Sequence, residues 1–313
     1  MDPRALLDAG LEISFVGSFT RIGPAVRRRL FGWSSPLAGA MAGRTVLVTG
    51  PTSGLGRAAT DELAALGARV VLVGRSEERL TRLRDELVRV HGEDRFPVVV
   101  ADMGSLVSVR AAVAQILETE SRLDVLVDSA GAIHPERVEG PDGIEATLAV
   151  LVVGPFALVA GLLPLLRRTP DARVIAVTSG GMYFQRLDLD DLQSSVGEFT
   201  GARAYARSKR AQTALVREWS RRLAGSGVSF AVMHPGWADT PGLAEALPGF
   251  YGRMRPLLRT VADGADTITW LATHPEPATT SGRLFLDRRP RPFDGLPSTR
   301  LTAADRRRGR ISR

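Results

Sequence analysis

The sequence predicts an α/β protein: a single domain of three layers, with a doubly wound parallel sheet of seven strands between covering helices. Three observations predict it. From residue 44 to about residue 287, short runs of apolar and β-branched residues alternate with longer stretches of helical period. The runs lack polar alternation, so both faces of each strand are expected to be buried, as in a parallel sheet. The first run, Thr45 to Val48, passes into a turn with Gly50, Gly54 and Gly56 that opens onto a helical stretch. That order of strand, glycine turn and helix suits a phosphate, because bare backbone can bring it close to the free N–H groups of a helix start.

The strands are expected at Thr45–Val48, Arg69–Val73, Pro97–Ala101, Leu123–Val127, Arg173–Val177, Val228–Met233 and Gly282–Leu286. Helices are expected over Arg57–Gly67, Glu77–Val90, Leu106–Glu120, about Gly143–Arg168, Ala202–Ala224 and Asp263–Thr273. Right-handed crossovers between such strands give a Rossmann-type sheet and gather a ligand site at the carboxyl ends of the strands.

Two flanks lie outside this body. In residues 1–43, Phe15, Phe19, Ile22, Val26 and Leu30 recur at spacings of four, three, four and four beside Arg21 and Arg27 to Arg29, a basic amphipathic helix that Gly23-Pro24 should interrupt. It is expected to pack on the domain or on a partner subunit of a homo-oligomer. The alternative is peripheral membrane contact through residues 12–33. Residues 288–313 read as an Arg-rich tail, and residues 237–259 as a lid.

Composition narrows the function. There is no cysteine, which excludes disulfides, Cys-ligated zinc and thiol nucleophiles, and no metal site is expected. Residues 1–43 carry five Arg against three acids and residues 287–313 nine against three, so the net charge of +7 sits in the flanks. With no basic and aromatic stripe through the body, no nucleic-acid partner is expected. The opening residues do not resemble a secretory signal, and no segment is expected to offer the ~18–20 uninterrupted apolar residues of a membrane span. The expected location is therefore cytoplasmic, with membrane-peripheral attachment as the alternative.

The strand ends carry the chemistry. After the second strand comes Gly74-Arg75, where an acid would hold the ribose diol of NAD. A guanidinium there suits a 2′-phosphate, so NADP(H) is preferred over NAD(H). Asp102, followed by Met103, suits either the adenine amine or a helix N-cap. In Tyr205-Ala-Arg-Ser-Lys209 the phenol and the only lysine among 41 basic residues stand at i and i+4 on one helix face. A neighbouring ammonium stabilises a phenolate and draws a phenol towards the working pH range. Ser179 is placed to hydrogen-bond a carbonyl or alkoxide. His91, His134, His234 and His274 are expected in surface or capping roles rather than in a triad. Met182, Tyr183, Phe184, Trp237, Phe250, Tyr251 and Met254 fall beside these motifs, and about half are expected to line an apolar pocket.

Thr49-Gly-Pro-Thr-Ser-Gly-Leu-Gly56 resembles the TGxxxGxG of the short-chain dehydrogenases/reductases, and Tyr205 with Lys209 resembles their YxxxK. Asp128-Ser-Ala-Gly131 stands at their NNAG, and Pro235-Gly236 with Thr240 is similar to their PG motif. Val177-Thr-Ser-Gly-Gly-Met182 and His234-Pro-Gly-Trp-Ala-Asp-Thr-Pro-Gly242 are similar, more narrowly, to the subgroup of dehydrogenase/reductase member 12. The resemblance implies an NAD(P)(H) cofactor and interconversion of a carbonyl and an alcohol on a small apolar molecule, with Ser179, Tyr205 and Lys209 as the catalytic residues. It places Gly50, Thr52, Ser53, Gly54, Leu55, Gly56, Arg75, Asp102, Met103, Ser129, Ala130, Gly131, Tyr205, Lys209, Pro235, Gly236, Trp237 and Thr240 around the cofactor. Two positions depart from the pattern: Asp128 replaces the first Asn of NNAG, and Leu151 replaces a helix Asn thought to hold a water that links the lysine to solvent. They motivate an alternative, a catalytically weak NAD(P)-binding sensor or scaffold.

Overall fold

The computed structural model of the protein describes residues 2–276, 280–295 and 299–300. Its sheet has eight strands: β1 (Thr45–Thr49), β2 (Arg69–Gly74), β3 (Val98–Val100), β4 (Val125–Asp128), β5 (Ala172–Val177), β6 (Val228–Met233), β7 (Arg283–Leu286) and β8 (Arg289–Arg291), in spatial order β3-β2-β1-β4-β5-β6-β7-β8. The first seven pair in parallel. Two apolar layers sandwich them. Leu47, Val71, Leu126, Val174 and Val232 meet helices Leu106–Thr119 and Gly154–Arg168 on one side, and Val46, Val70, Val125, Ile175 and Met233 meet helices Gly54–Ala65, Glu77–His91 and Val261–Thr273 on the other. Every residue of β1, β4 and β5 is buried, which is why those strands are mostly apolar and show no polar alternation.

The eighth strand corrects the expected count of seven and the start of the Arg-rich tail at residue 288. Leu286 pairs antiparallel with Arg289 across a two-residue turn, Asp287-Arg288, whose φ angles are 52° and 58°. Such a turn matches the twist of a hairpin but is ordinarily written with Asn and Gly, so Asp-Arg gave no turn signal. Of that tail, residues 296–298 and 301–313 lie outside the described residues.

A second correction concerns apolar length. The 23-residue run Ala146–Arg168 is long and apolar enough to cross a membrane. Here Leu158, Leu162, Leu165 and Leu166 are fully buried against the sheet. The run starts as one α-turn at Ala146–Leu148, widens into a π-bulge at Ala149–Val153 and continues as Gly154–Arg168.

The N-terminal flank folds as three helices, Pro3–Ile13, Phe15–Phe19 and Ile22–Phe31, and straps onto the domain. The break falls at Thr20-Arg21, and Pro24 sits in the first turn of the third helix, where its missing N–H costs nothing. Phe19 is 1 % exposed within the core, and Arg27, one of the residues that make this helix basic, is 0 % exposed. Arg27 binds Asp8, Glu12 and Asp287 at 2.7, 2.8 and 2.6 Å. Arg259 binds Asp287 at 2.6 Å, and Arg291 binds Asp8 at 2.8 Å. Within residues 12–33, Phe19 and Arg27 are thus taken up by the protein itself, while Ile13, Val16 and Ile22 stay exposed.

Candidate active site

The carboxyl ends of β1, β4 and β5 are level, with Thr49 opposite Asp128 and Asp128 opposite Ala176. The order of the sheet reverses between β1 and β4, which opens a crevice there. Gly56 has no room for a side chain: a Cβ would lie 2.2 Å from the Gly50 carbonyl oxygen and 2.7 Å from Ser129 Oγ. Bare backbone at that point lets the helix start close over the strand. Gly54 begins the helix with φ of 54°, and the nearest atom to a Cβ there would be Thr240 Cγ2 at 3.5 Å. Thr240, the Thr downstream of Pro235-Gly236, therefore borders the same turn.

Ser53 stands at the N-cap of that helix but makes no side-chain bond to it. Ser76, Ser105 and Thr260 do cap theirs. The first N–H groups of helix Gly54–Ala65 are therefore left without a side-chain acceptor beside an open glycine, which fits a dinucleotide's phosphates. Arg75 is exposed just past the end of β2, with no hydrogen-bond or ion-pair partner among the described residues. Asp102 is exposed and accepts from the Gly104 N–H at 2.8 Å, while the N-cap of the next helix is Ser105. Met103 is buried, its carbonyl 2.0 Å from where a Cβ on Gly154 would stand.

Helix Gly201–Arg222 crosses the end of β5 and carries Tyr205 and Lys209 on one face. The Lys209 ammonium lies 5.7 Å from the centre of the Tyr205 ring. It donates to the Val177 carbonyl at 2.6 Å and to Gln212 Oε1 at 3.2 Å. Ser179, partly exposed, caps a single 3-10 turn, Gly180–Phe184, and accepts from the Gly181 N–H at 3.3 Å. A Cβ on Gly181 would lie 3.4 Å from Ala206 Cβ and 3.7 Å from Ser179 Oγ, so Gly181 fills the space between the serine and the tyrosine's helix.

The description "short chain dehydrogenase" matches residues 44–248 as a family. The chain is 39% identical over 263 residues to dehydrogenase/reductase SDR family member 12 of Bos taurus, covering 84% of this chain and 82% of that one. It is 37% identical over 267 residues to retinol dehydrogenase 14 of Mus musculus, covering 80% and 79%. Among solved structures, the RhlG/NADP active-site complex of Pseudomonas aeruginosa superposes with a TM-score of 0.66 at 26% identity, over 84% of this chain and 98% of that one. The chain belongs to the short-chain dehydrogenase family. It is an NAD(P)-dependent oxidoreductase acting on CH–OH groups.

Within this short-chain dehydrogenase, the phenol behaves otherwise than the Tyr205–Lys209 spacing alone suggests. Burial pushes Tyr205 up to about 12, and no hydrogen bond reaches its hydroxyl among the described residues. The same burial pulls Lys209 down to about 8, against the opposing pull of Asp128. The ammonium donates to a carbonyl and an amide, and burial is the cause of the phenol's shift.

The two departures are placed as follows. Leu151 is 0 % exposed inside the π-bulge, and its Cδ2 would lie 3.6 Å from a Cβ on Gly131. Asp128 is 3 % exposed and accepts from Gln212 Nε2 at 2.7 Å and Thr49 Oγ1 at 3.3 Å. Thr49 Oγ1 in turn accepts the Ser129 and Ala130 N–H groups at 3.1 and 3.0 Å, pinning the strand end that carries Ser129, Ala130 and Gly131. Gln212 was missed from sequence, although it stands one turn beyond Lys209.

The strap also reaches the site. Phe19 packs edge-on against Trp237 at 5.6 Å between ring centres, and Phe15 lies 5.2 Å from Phe184. Gly236, at φ 68°, must be bare because a Cβ would fall 2.4 Å from Arg259 Nε and 2.6 Å from the Phe19 carbonyl. Of the residues expected to line a pocket, Met182 and Tyr183 belong to the core, whereas Phe184, Trp237, Phe250, Tyr251 and Met254 keep exposed surface. His234 corrects its expected surface or capping role: it is 0 % exposed, beside Phe19 at 4.8 Å and Tyr183 at 5.5 Å. Burial, then the charges of Arg259, Arg291 and Arg27, hold its imidazole neutral.

Proposed function

We propose that the protein is an NADP(H)-dependent oxidoreductase that interconverts a carbonyl and an alcohol on a small apolar molecule. The observation that carries this reading is the single helix face bearing Tyr205 and Lys209, set over the end of β5 beside Ser179. The turn at Gly54 to Gly56, Thr240 and the Ser129–Gly131 backbone would hold the dinucleotide, with Arg75 on the 2′-phosphate. When bound, the dinucleotide supplies or accepts the hydride.

The chain's own residues do the rest. A phenol raised by burial is fully protonated at neutral pH, the state in which Tyr205 can give a proton to a carbonyl oxygen. Ser179 donates a hydrogen bond to the same oxygen and fixes its position. Lys209 supplies the positive charge that stabilises the phenolate as it forms, and it would hold the nicotinamide ribose. Exposed aromatic surface on Phe15, Phe184, Trp237 and Phe250 favours an apolar substrate over a polyol or a charged one.

The test is turnover of a panel of apolar ketones and aldehydes with NADPH. Tyr205→Phe is expected to lower kcat about 10²–10⁴-fold while leaving NADPH binding intact, the range for losing a positioned general acid. Unchanged turnover in that variant overturns the role of Tyr205, and NADPH binding without turnover of the panel by the unaltered protein favours the sensor or scaffold.

A further inference from the structure

A lysine buried to 3 % exposure needs its charge balanced or it gives up its proton. In this chain the balancing group is not in contact with it. The Lys209 ammonium donates to Gln212 Oε1 at 3.2 Å, and the other end of the same amide, Nε2, donates to Asp128 at 2.7 Å. The amide has one acceptor end and one donor end, and the two contacts use them in the only order that suits an ammonium at one side and a carboxylate at the other. Thr49 Oγ1 donates to the second oxygen of Asp128, and the Val177 carbonyl accepts from the ammonium. All of these groups are buried.

From this geometry we infer that Asp128 is the counter-ion of Lys209, acting through Gln212 as a positioning residue that keeps the ammonium charged when the phenol must lose its proton. This rests on the oxidoreductase reading of Tyr205 and Lys209, and it gives a role to the acid standing where the family writes Asn. A neutral Asn could accept the same bond from Gln212 but would supply no charge. The hydrophobic Leu151 offers no polar partner from the π-bulge, so the ammonium's protein partners are Val177 and Gln212 among the described residues.

The charges facing the pair are few. From β4 comes Asp128 and from helix Gly201–Arg222 come Lys209 and Tyr205, while β1 and β5 contribute only Thr49, Val177 and Thr178. Burial brings the two partners towards each other, Asp128 up to about 6 and Lys209 down to about 8. Amide bridging does not carry a proton from one to the other. It carries orientation, and the field of the carboxylate does the rest.

The chain's single lysine makes the test direct. Full-length protein labelled at lysine Cε gives one resonance, titrated by NMR without substrate, so the readout is independent of turnover. In the wild type the resonance is expected to titrate near pH 8, with a smaller inflection near pH 6 as Asp128 takes up its proton. In Asp128→Asn the inflection near 6 should vanish and the main midpoint should fall by about one pH unit, tenfold in proton affinity. Asp128→Glu should restore a midpoint above that of the Asn variant. A wild-type curve without the lower inflection, or an Asn variant with the wild-type midpoint, overturns the inference. The wild-type curve decides even if the variants do not fold, and neither outcome bears on whether Tyr205→Phe abolishes turnover.

Discussion

Two of the buried groups of opposite charges among the described residues are treated in opposite ways. Under the strap, Arg27, Arg259 and Arg291 meet Asp8, Glu12 and Asp287 directly, with contacts down to 2.6 Å. Burial alone would lift the Asp8 carboxyl, but hydrogen bonds from Arg291 and Arg27 hold it below the usual carboxylate range. Burial likewise works against Arg27, and the charge of Asp287 with the bond to Asp8 lifts it above its ordinary value. At the site, an amide stands between Lys209 and Asp128, and burial wins for both. Flat guanidinium forks filled by carboxylates lock charge and backbone together. A single ammonium at one remove from its acid leaves both groups near the pH at which they change state, the condition suited to proton chemistry.

The two groups should answer perturbation differently. The largest effect on stability is expected from Arg27→Met, which leaves Asp8 and Asp287 buried with fewer partners. It should cost about 3–5 kcal/mol in urea unfolding, whereas Asp128→Asn should move the lysine titration more than the unfolding midpoint. Next comes pH. Asp8 binds its proton less readily folded than unfolded, so its contribution is present above the unfolded carboxylate pKa near 3.8 and is lost as pH falls through the lower folded value. Limited proteolysis should therefore release residues 2–33 in acid before the sheet unfolds. Asp128, raised to about 6, has the opposite sign: its contribution favours the fold below 3.8 and is lost as pH rises through 6. The smallest effect belongs to an exposed cation, Arg75. Arg75→Ala should weaken NADPH binding about tenfold, one charge-assisted contact, and leave NADH binding unchanged. Equal losses for both would remove the 2′-phosphate from its role.

These contrasts also mark what could be read from sequence. The seven parallel strands were legible because both faces are buried, so apolar and β-branched residues dominate β1, β4 and β5 without polar alternation. Strand β8 was not, since Arg289-Pro290-Arg291 carries no apolar residue beyond its proline and its basic composition reads as a tail. Tyr205 and Lys209 were legible because one helix turn brings them together. The Asp128 contact was not, as 84 residues separate it from Gln212 and no local period relates them. The burial of Arg27 was hidden for a related reason: the acid that pairs with it from β7's end arrives 260 residues later.

That separation sets the order in which the chain can be finished. Residues 8 to 27 leave the ribosome well before Asp287, and until then Arg27 has only its own strap's acids. Closing so long a loop is slow compared with forming neighbouring contacts. The Phe19 carbonyl receives the Trp237 N–H at 2.7 Å, so the loop carrying Pro235 and Gly236 also waits for this closure. In vectorial synthesis the strap is made before the strand end that holds it, and the substrate side of the crevice is complete only once the two have met.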